Sequence, residues 1–433
     1  MFRFKGLSMK FKAWFLFLVV VSVNGQDVVD TTGSVLNAQN VDSLESTSIM
    51  PNIPIAPKIP IAPDNLQAVE TQAVETQAQP AETQTIETQT RTAEAQAVFQ
   101  LKTIAKIQRK NTIVGATVKD IDNDKKNEII LITRRSVEVA RFVNKTLQTV
   151  SEFKTPSGVS LVSIDVADIN ENGAYEFYIS AVNATFEIYQ SMVLEYNKGQ
   201  FSVVKKRCGY QFRVINETDG RSTLLGQKYS SNGVQKGDIF VLGLNGGELV
   251  EKNKVEVSDR AVHTFASSGD HSDSSSVYVM SAPDGLIELI DKQNGSKIAE
   301  SAEKFGGSPF AIKLPAHTLS NPAMSTLPIR NVSSDVNNDG VDELVCVKNH
   351  DSFRSIMAST SLYKQAHFEV LSFDRNEGFV ESIWKSGVYS GFIIDIAAGD
   401  INGNGKKNVI VIKLDNVGNN MFKKAKTEII VFE

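Results

Sequence analysis

The chain is poor in several things, and each shortage removes a class of explanation. Two cysteines in 433 residues exclude a disulfide-stapled miniature scaffold and a multi-thiolate zinc site. The five histidines, His263, His271, His317, His350 and His367, fall in no ligand or triad spacing, and no HExxH, GxSxG or phosphate-loop pattern occurs. No enzyme is expected on that ground. Charge of one sign is not in excess, because 45 basic residues stand against 50 acidic ones. With no Lys/Arg-rich run interleaved with aromatics, nucleic acid is not indicated as a partner. Helical periodicity is missing too, which leaves strands as the expected elements.

Long apolar runs are confined to the N-terminus. There "MFRFKGLSMKFKAWFLFLVVVSVNGQD" sets Arg3, Lys5, Lys10 and Lys12 ahead of an apolar stretch from Ala13 to Val23 and a small-residue "VNG". This pattern predicts a secretory signal peptide over residues 1–25, cut after Gly25. The stretch is about half of the ~20 residues a bilayer span needs, so no transmembrane helix is expected after cleavage. The expected destination is outside the cytoplasm: periplasm, cell surface or extracellular space. Residues 26–96 change to "IPIAPKIPIAP" and "AVETQAVETQAQPAETQTIETQTRTAEAQA". So little apolar surface cannot offset the entropy of ordering, which predicts a disordered linker.

Residues 97–433 hold a repeat. "VKDIDNDKKNEIILI", "VADINENGAYEFYIS", "SSDVNNDGVDELVCV" and "AAGDINGNGKKNVIVI" share an Asp, an aliphatic, alternating Asp or Asn, a polar ninth residue and then an apolar run. Their first aspartates, Asp120, Asp168, Asp335 and Asp400, are spaced by 48, 167 and 65 residues. A decayed copy in "SSGDHSDSSSVYVMS" around Asp270 and a turn at Asp219 and Gly220 in "VINETDGRSTLLGQ" fill the long gap and bring the count to six. Each unit offers short strand-like runs punctuated by Gly, Asn, Asp and Ser. The last unit stops one strand short, while "VFQLKTIAKI", Val98 to Ile107, precedes the first unit with no unit of its own. The expectation is an all-β, six-bladed β-propeller whose last blade is closed by the N-terminal strand. Seven blades is the alternative count, and a parallel β-helix the alternative architecture.

Oxygen donors at positions one, three, five and nine of such a loop, with a backbone carbonyl at seven, suit a hard cation such as calcium. An EF-hand is excluded, since Leu131 and Cys346 stand where its twelfth-position Glu belongs and strands flank the loops. The alternative is that Asp and Asn cap their own turns without any ion.

The loops and the blade pattern resemble the FG-GAP or VCBS-type repeats of integrin α-subunit propellers and of many exported bacterial proteins. That resemblance implies a calcium-binding hairpin between the first two strands of a blade. Carried over by position, the first site would use Asp120, Asp122, Asp124, Glu128 and the Lys126 carbonyl. The second would use Asp168, Asn170, Asn172 and Glu176. The fifth-blade site would use Asp335, Asn337, Asp339 and Glu343, and the last Asp400, Asn402, Asn404 and Asn408. Gly173, Gly340 and Gly405 fill a tight-turn position that Lys125 takes in the first loop. Carboxylate count ranks the first and fifth-blade loops highest and the last lowest. In the fourth blade, Ser272 and Ser274 replace acidic positions and no ion is expected. Calcium in this setting is structural.

The expected role is a monomeric, exported, calcium-stabilised module for protein interaction or adhesion; the alternative is a carbohydrate-binding or polysaccharide-active propeller. In a ring of six, Cys208 and Cys346 fall on opposite sides, so both thiols are expected to be unpaired. Two insertions, "GGSPFAIKLPAHTLSNPAMSTLPI" and "NHDSFRSIMASTSLYKQA", lie on loops opposite the acidic hairpins, and long loops on a rigid scaffold are where binding concentrates. Phe310, His317, Phe353, Arg354 and Tyr363 are the candidate partner patch. Asn-x-Ser/Thr sequons stand at Asn144, Asn183, Asn216, Asn294 and Asn331.

Overall fold

The computed structural model describes residues 99–433, save 186–188, 230–235, 258, 273–274, 309–310, 314–323, 352–362, 375–377 and 416–424. The expected signal peptide and linker over 1–25 and 26–96 lie outside the described residues, as do Phe310, His317, Phe353 and Arg354. Among the described residues the one helical element is a 3₁₀ turn at Val262–Thr264. No helix there is long and apolar enough to cross a membrane.

Strands pair antiparallel in groups of four, in chain order. The first sheet comprises Ile113–Lys119, Glu128–Thr133, Ser136–Val143 and Thr146–Lys154; the second Val159–Ala167, Tyr175–Asn183, Ser191–Asn197 and Gln200–Cys208. The third comprises Gln211–Asn216, Ser222–Tyr229, Lys236–Asn245 and Glu248–Lys254; the fourth Ala266–Asp270, Ser275–Ser281, Leu286–Ile290 and Lys297–Lys304. The fifth comprises Val332–Ser334, Glu343–Asp351, Tyr363–Asp374 and Phe379–Lys385. The outer strands of the fourth and fifth sheets touch through a short parallel bridge, Glu300 beside Phe379 and Ser301 beside Val380.

The sixth group draws on both ends of the folded region. Phe392–Gly399, Asn408–Leu414 and Thr427–Phe432 are completed by Thr103–Arg109, with Ile107 opposite Ile429 and Thr103 opposite Phe432. Lys102 and Glu433 extend the pairing by exchanging backbone hydrogen bonds of 2.8 and 2.9 Å. The N-terminal run that had no unit of its own is therefore the missing strand, and it covers an edge that would otherwise stay open to another chain.

The sequence of each strand matches its depth. Second strands are buried on both faces, so "EIILIT" and "NVIVIKL" are nearly continuous aliphatic runs. Outer strands such as "TLQTVSEFK" have only intermediate and exposed residues. Between each pair of neighbouring sheets lies one apolar cluster. Ile130 and Ile132 meet Ile164 and Ile179 between the first and second; Val193 meets Phe212 and Leu224 between the second and third. Ile215 and Ile239 meet Phe265 and Met280 next, and Val279 and Leu289 meet Leu344 and Cys346 after that. Val345 and Phe368 then meet Val411 and Ile430, and Ile412 and Val431 return to Ile129 and Leu131 of the first sheet. The contacts run once around and close.

Where the first strands converge, the interior is charged rather than apolar. Asp165 takes hydrogen bonds from Arg213 Nη1 at 2.9 Å and Arg330 Nη1 at 2.8 Å. Arg330 Nη2 donates to Asp395 Oδ2 at 3.0 Å, and its Nε lies 2.8 Å from Asp395 Oδ1 without hydrogen-bond alignment. The backbone joins in: Ala116 N–H donates to Asp395 and Val214 N–H to Asp165, while the Phe265 and Asn331 carbonyls accept from Arg213. Two cations balance two anions, and every sheet supplies a strand residue or an immediate neighbour of one.

Two expected surface residues turn out to be internal. Tyr363 of the partner patch is buried beside the cluster between the first and sixth sheets. The backbone of Gly307 comes so close that a Cβ there would sit 2.9 Å from its ring. Asn331, one of the sequons, is also buried, with Nδ2 donating to the Thr264 carbonyl at 3.0 Å, so folded chain offers no acceptor there. Cys208 and Cys346 are both buried free thiols. They belong to different apolar clusters.

Candidate metal-binding loops

Each of the four acidic stretches joins the first and second strands of its sheet, and all four share one backbone scheme. The first-position carboxylate takes the N–H of position five on one oxygen and of position six on the other. The donors are Asp124 and Lys125 to Asp120, Asn172 and Gly173 to Asp168, Asp339 and Gly340 to Asp335, and Asn404 and Gly405 to Asp400. The fifth-position oxygen then takes the N–H of position seven. Position nine closes the hairpin by accepting from position two: Glu128 from Ile121, Glu176 from Ile169, Glu343 from Val336 and Asn408 from Ile401.

Positions four and six are left-handed throughout. They are Asn123 and Lys125, Glu171 and Gly173, Asn338 and Gly340, and Gly403 and Gly405. Lys125 therefore does not alter the geometry of the first loop. It adopts a left-handed φ of 69° where its sisters place glycine.

The ninth residues are buried beneath the loops, and desolvation marks them. Glu176 and Glu343 are each pushed up to about 7, with burial the leading cause in both. Glu128 is also raised by burial, against a hydrogen bond from Arg141. Such carboxylates call for a positive partner. Carboxyl and amide oxygens around each hairpin form a hard donor set, and in the first loop the carboxylates of Asp120, Asp122 and Asp124 lie within 4.8 Å of one another.

Sequence reading missed a further participant, supplied by the third strand. Glu195 pairs with Glu176 and accepts from Asn172 Nδ2 at 3.2 Å. Glu433 stands beside Asn408 and accepts from Asn402 at 3.2 Å and Asn404 at 2.9 Å. In the first sheet the same place holds Arg141, whose Nε donates to Glu128 at 2.9 Å and whose Nη2 donates to Asp122. With the third strand counted, the first loop has a cation of its own, while the second and last each gain a carboxylate.

Residues 120–179, running from the first loop through the second, match the family model described as an FG-GAP-like repeat. The chain carries an FG-GAP-like repeat. Comparison with curated proteins returns no match. Solved structures that align with the chain include the following two. One is a PQQ-bound aldose sugar dehydrogenase from Streptomyces coelicolor, at 11% identity and TM-score 0.40, covering 77% of this chain and 98% of that one. The other is BBS1N in complex with ARL6DN, at 13% identity and TM-score 0.40, covering 76% of this chain and 96% of that one. Likeness at that level assigns neither activity nor partner. The FG-GAP-like repeat spans one full period, and the loops at Asp335 and Asp400 reproduce its hydrogen bonds outside the matched residues.

Beside these loops, a cleft of about 620 Å³ is lined by residues of the first four sheets. Lys119, Arg221 and Lys252 line it together with Asp168, Glu171 and Glu217, so its wall is charged with both signs.

Proposed function

We propose that the chain is a six-bladed β-propeller whose acidic hairpins hold calcium structurally, and that it serves as an exported module for binding another protein. The observation that carries this reading is the identity of the four hairpins. Four loops from separate sheets share two left-handed positions, the same backbone donors and a buried ninth side chain. Turn capping alone accounts for the backbone bonds. It does not account for burying Glu176 and Glu343 where each carboxyl loses hydration; a divalent cation restores what burial removes.

Calcium in this reading supplies charge neutralisation and cross-linking of the hairpin. Asp168, Asn170, Asn172, Glu176 and Glu195 would hold it in the second sheet, and Asp335, Asn337, Asp339 and Glu343 in the fifth. No catalytic step is assigned to the chain. Binding is assigned to the face opposite the hairpins, where the two long insertions leave the fourth and fifth sheets. The test is thermal unfolding in chelator and in millimolar calcium. A melting temperature that rises with calcium, and not with magnesium at the same concentration, supports the reading; no difference between calcium and chelator overturns it.

A further inference from the structure

In five of the six sheets the third strand places one side chain beside the ninth loop position or its counterpart, and its identity follows a pattern. It is Arg141 in the first, Glu195 in the second, Lys292 in the fourth, Ser372 in the fifth and Glu433 in the sixth. Two of these are cations. Arg141 touches Asp122 and Glu128 and lies 3.9 Å from Asp124, so its guanidinium contacts three of the four carboxylates of the first loop. Lys292 does the same work where the loop is degenerate. Its Nζ donates at 2.8 Å to Ser276, which in this shorter hairpin pairs with Gly269 as Glu128 pairs with Lys119, and also to Ser267 at 2.7 Å and to Glu217 from the neighbouring sheet.

We propose that Arg141 and Lys292 are built-in cations that take the place of calcium, making the first and fourth hairpins metal-independent while those of the second, fifth and sixth sheets depend on the ion. The repeat thus has two ways to satisfy one hairpin. A third-strand carboxylate adds a ligand, and a third-strand guanidinium or ammonium supplies the positive charge itself. Arg141 is suited to this because a planar fork of donors matches two carboxylates at once, at Asp122 and Glu128. The first loop, richest in carboxylates, becomes the one that does not recruit calcium.

This rests on the calcium reading only for its contrast between loops, and the experiment separates the two. Bound calcium per full-length chain is counted by equilibrium dialysis for wild type, Asp122→Asn, Arg141→Gln and Arg141→Lys. Wild type, Asp122→Asn and Arg141→Lys should bind equal amounts, and Arg141→Gln one ion more. Loss of one ion in Asp122→Asn, or no gain in Arg141→Gln, overturns the proposal wherever wild type binds calcium. If wild type binds none, the calcium reading falls, and melting in chelator decides the matter. There Arg141→Gln should melt below wild type, with Asp122→Asn added to it recovering part of the loss. An Arg141→Gln protein that melts in chelator as wild type does sinks the built-in cation.

Discussion

Lys125 holds a left-handed backbone position that Gly173, Gly340 and Gly405 fill in the sister loops. A non-glycine residue there carries roughly 1–2 kcal/mol of steric cost, partly offset by the larger unfolded-state entropy of glycine. Lys125→Gly is therefore expected to stabilise the protein by up to about 1 kcal/mol, measured as a higher denaturant midpoint at unchanged slope. His263 offers a second test at this scale. It is buried near Arg330 and Arg213, and burial foremost, then those two charges, hold its pKa well below the ordinary imidazole range. Folded chain keeps it neutral, whereas unfolded chain protonates it near pH ~6.5. Its contribution is thus fully present above that pH and is lost as pH falls below it, with a slope of up to about 1.4 kcal/mol per unit. Between pH 7.5 and 5, His263→Gln should lose less stability than wild type in equilibrium unfolding; parallel curves would refute the assignment. The charged axis was partly legible: "LVSIDVA" and "FIIDIAA" each place an Asp inside a run too apolar for a solvated strand. Arg213 and Arg330 carried no such mark, because each stands near a strand start, where an arginine is unremarkable.

At the level of elements, the acidic hairpins and the closing strand were readable because both are local. A loop motif followed by an apolar run fixes its own hairpin, and an unassigned strand before the first unit has one place to go. The third-strand partners were not readable, because their register depends on turns of different length. Arg141 lies 13 residues beyond Glu128, Glu195 lies 19 beyond Glu176, and Glu433 lies 25 beyond Asn408. No fixed spacing connects the pairs; only the paired strands do. The closing strand also gives a prediction. Deleting residues through Arg109 leaves Thr427–Phe432 paired on one side only and bares an aliphatic edge. Such a chain should elute as aggregate on size exclusion and lose its cooperative thermal transition. A truncated chain that stays monodisperse and melts like the parent would contradict this closure.

For the molecule as a whole, two systems tie the sheets together: apolar clusters between neighbours, and the ion-pair axis of Asp165, Arg213, Arg330 and Asp395. A balanced buried network adds little net stability compared with well-packed apolar residues, yet removing one member strands its partners without counter-charge. Arg330 contacts both carboxylates. Arg330→Met is expected to cost about 3–5 kcal/mol, read from chemical denaturation, far more than an exposed substitution such as Lys106→Met. The central claim concerns the hairpins, and it is tested most directly by locating the ions. Crystals grown in millimolar calcium should show anomalous scattering peaks inside the loops beginning at Asp168 and Asp335, and none between Asp122 and Arg141. Well-ordered loops at Asp168 and Asp335 with no peak in either would contradict the account.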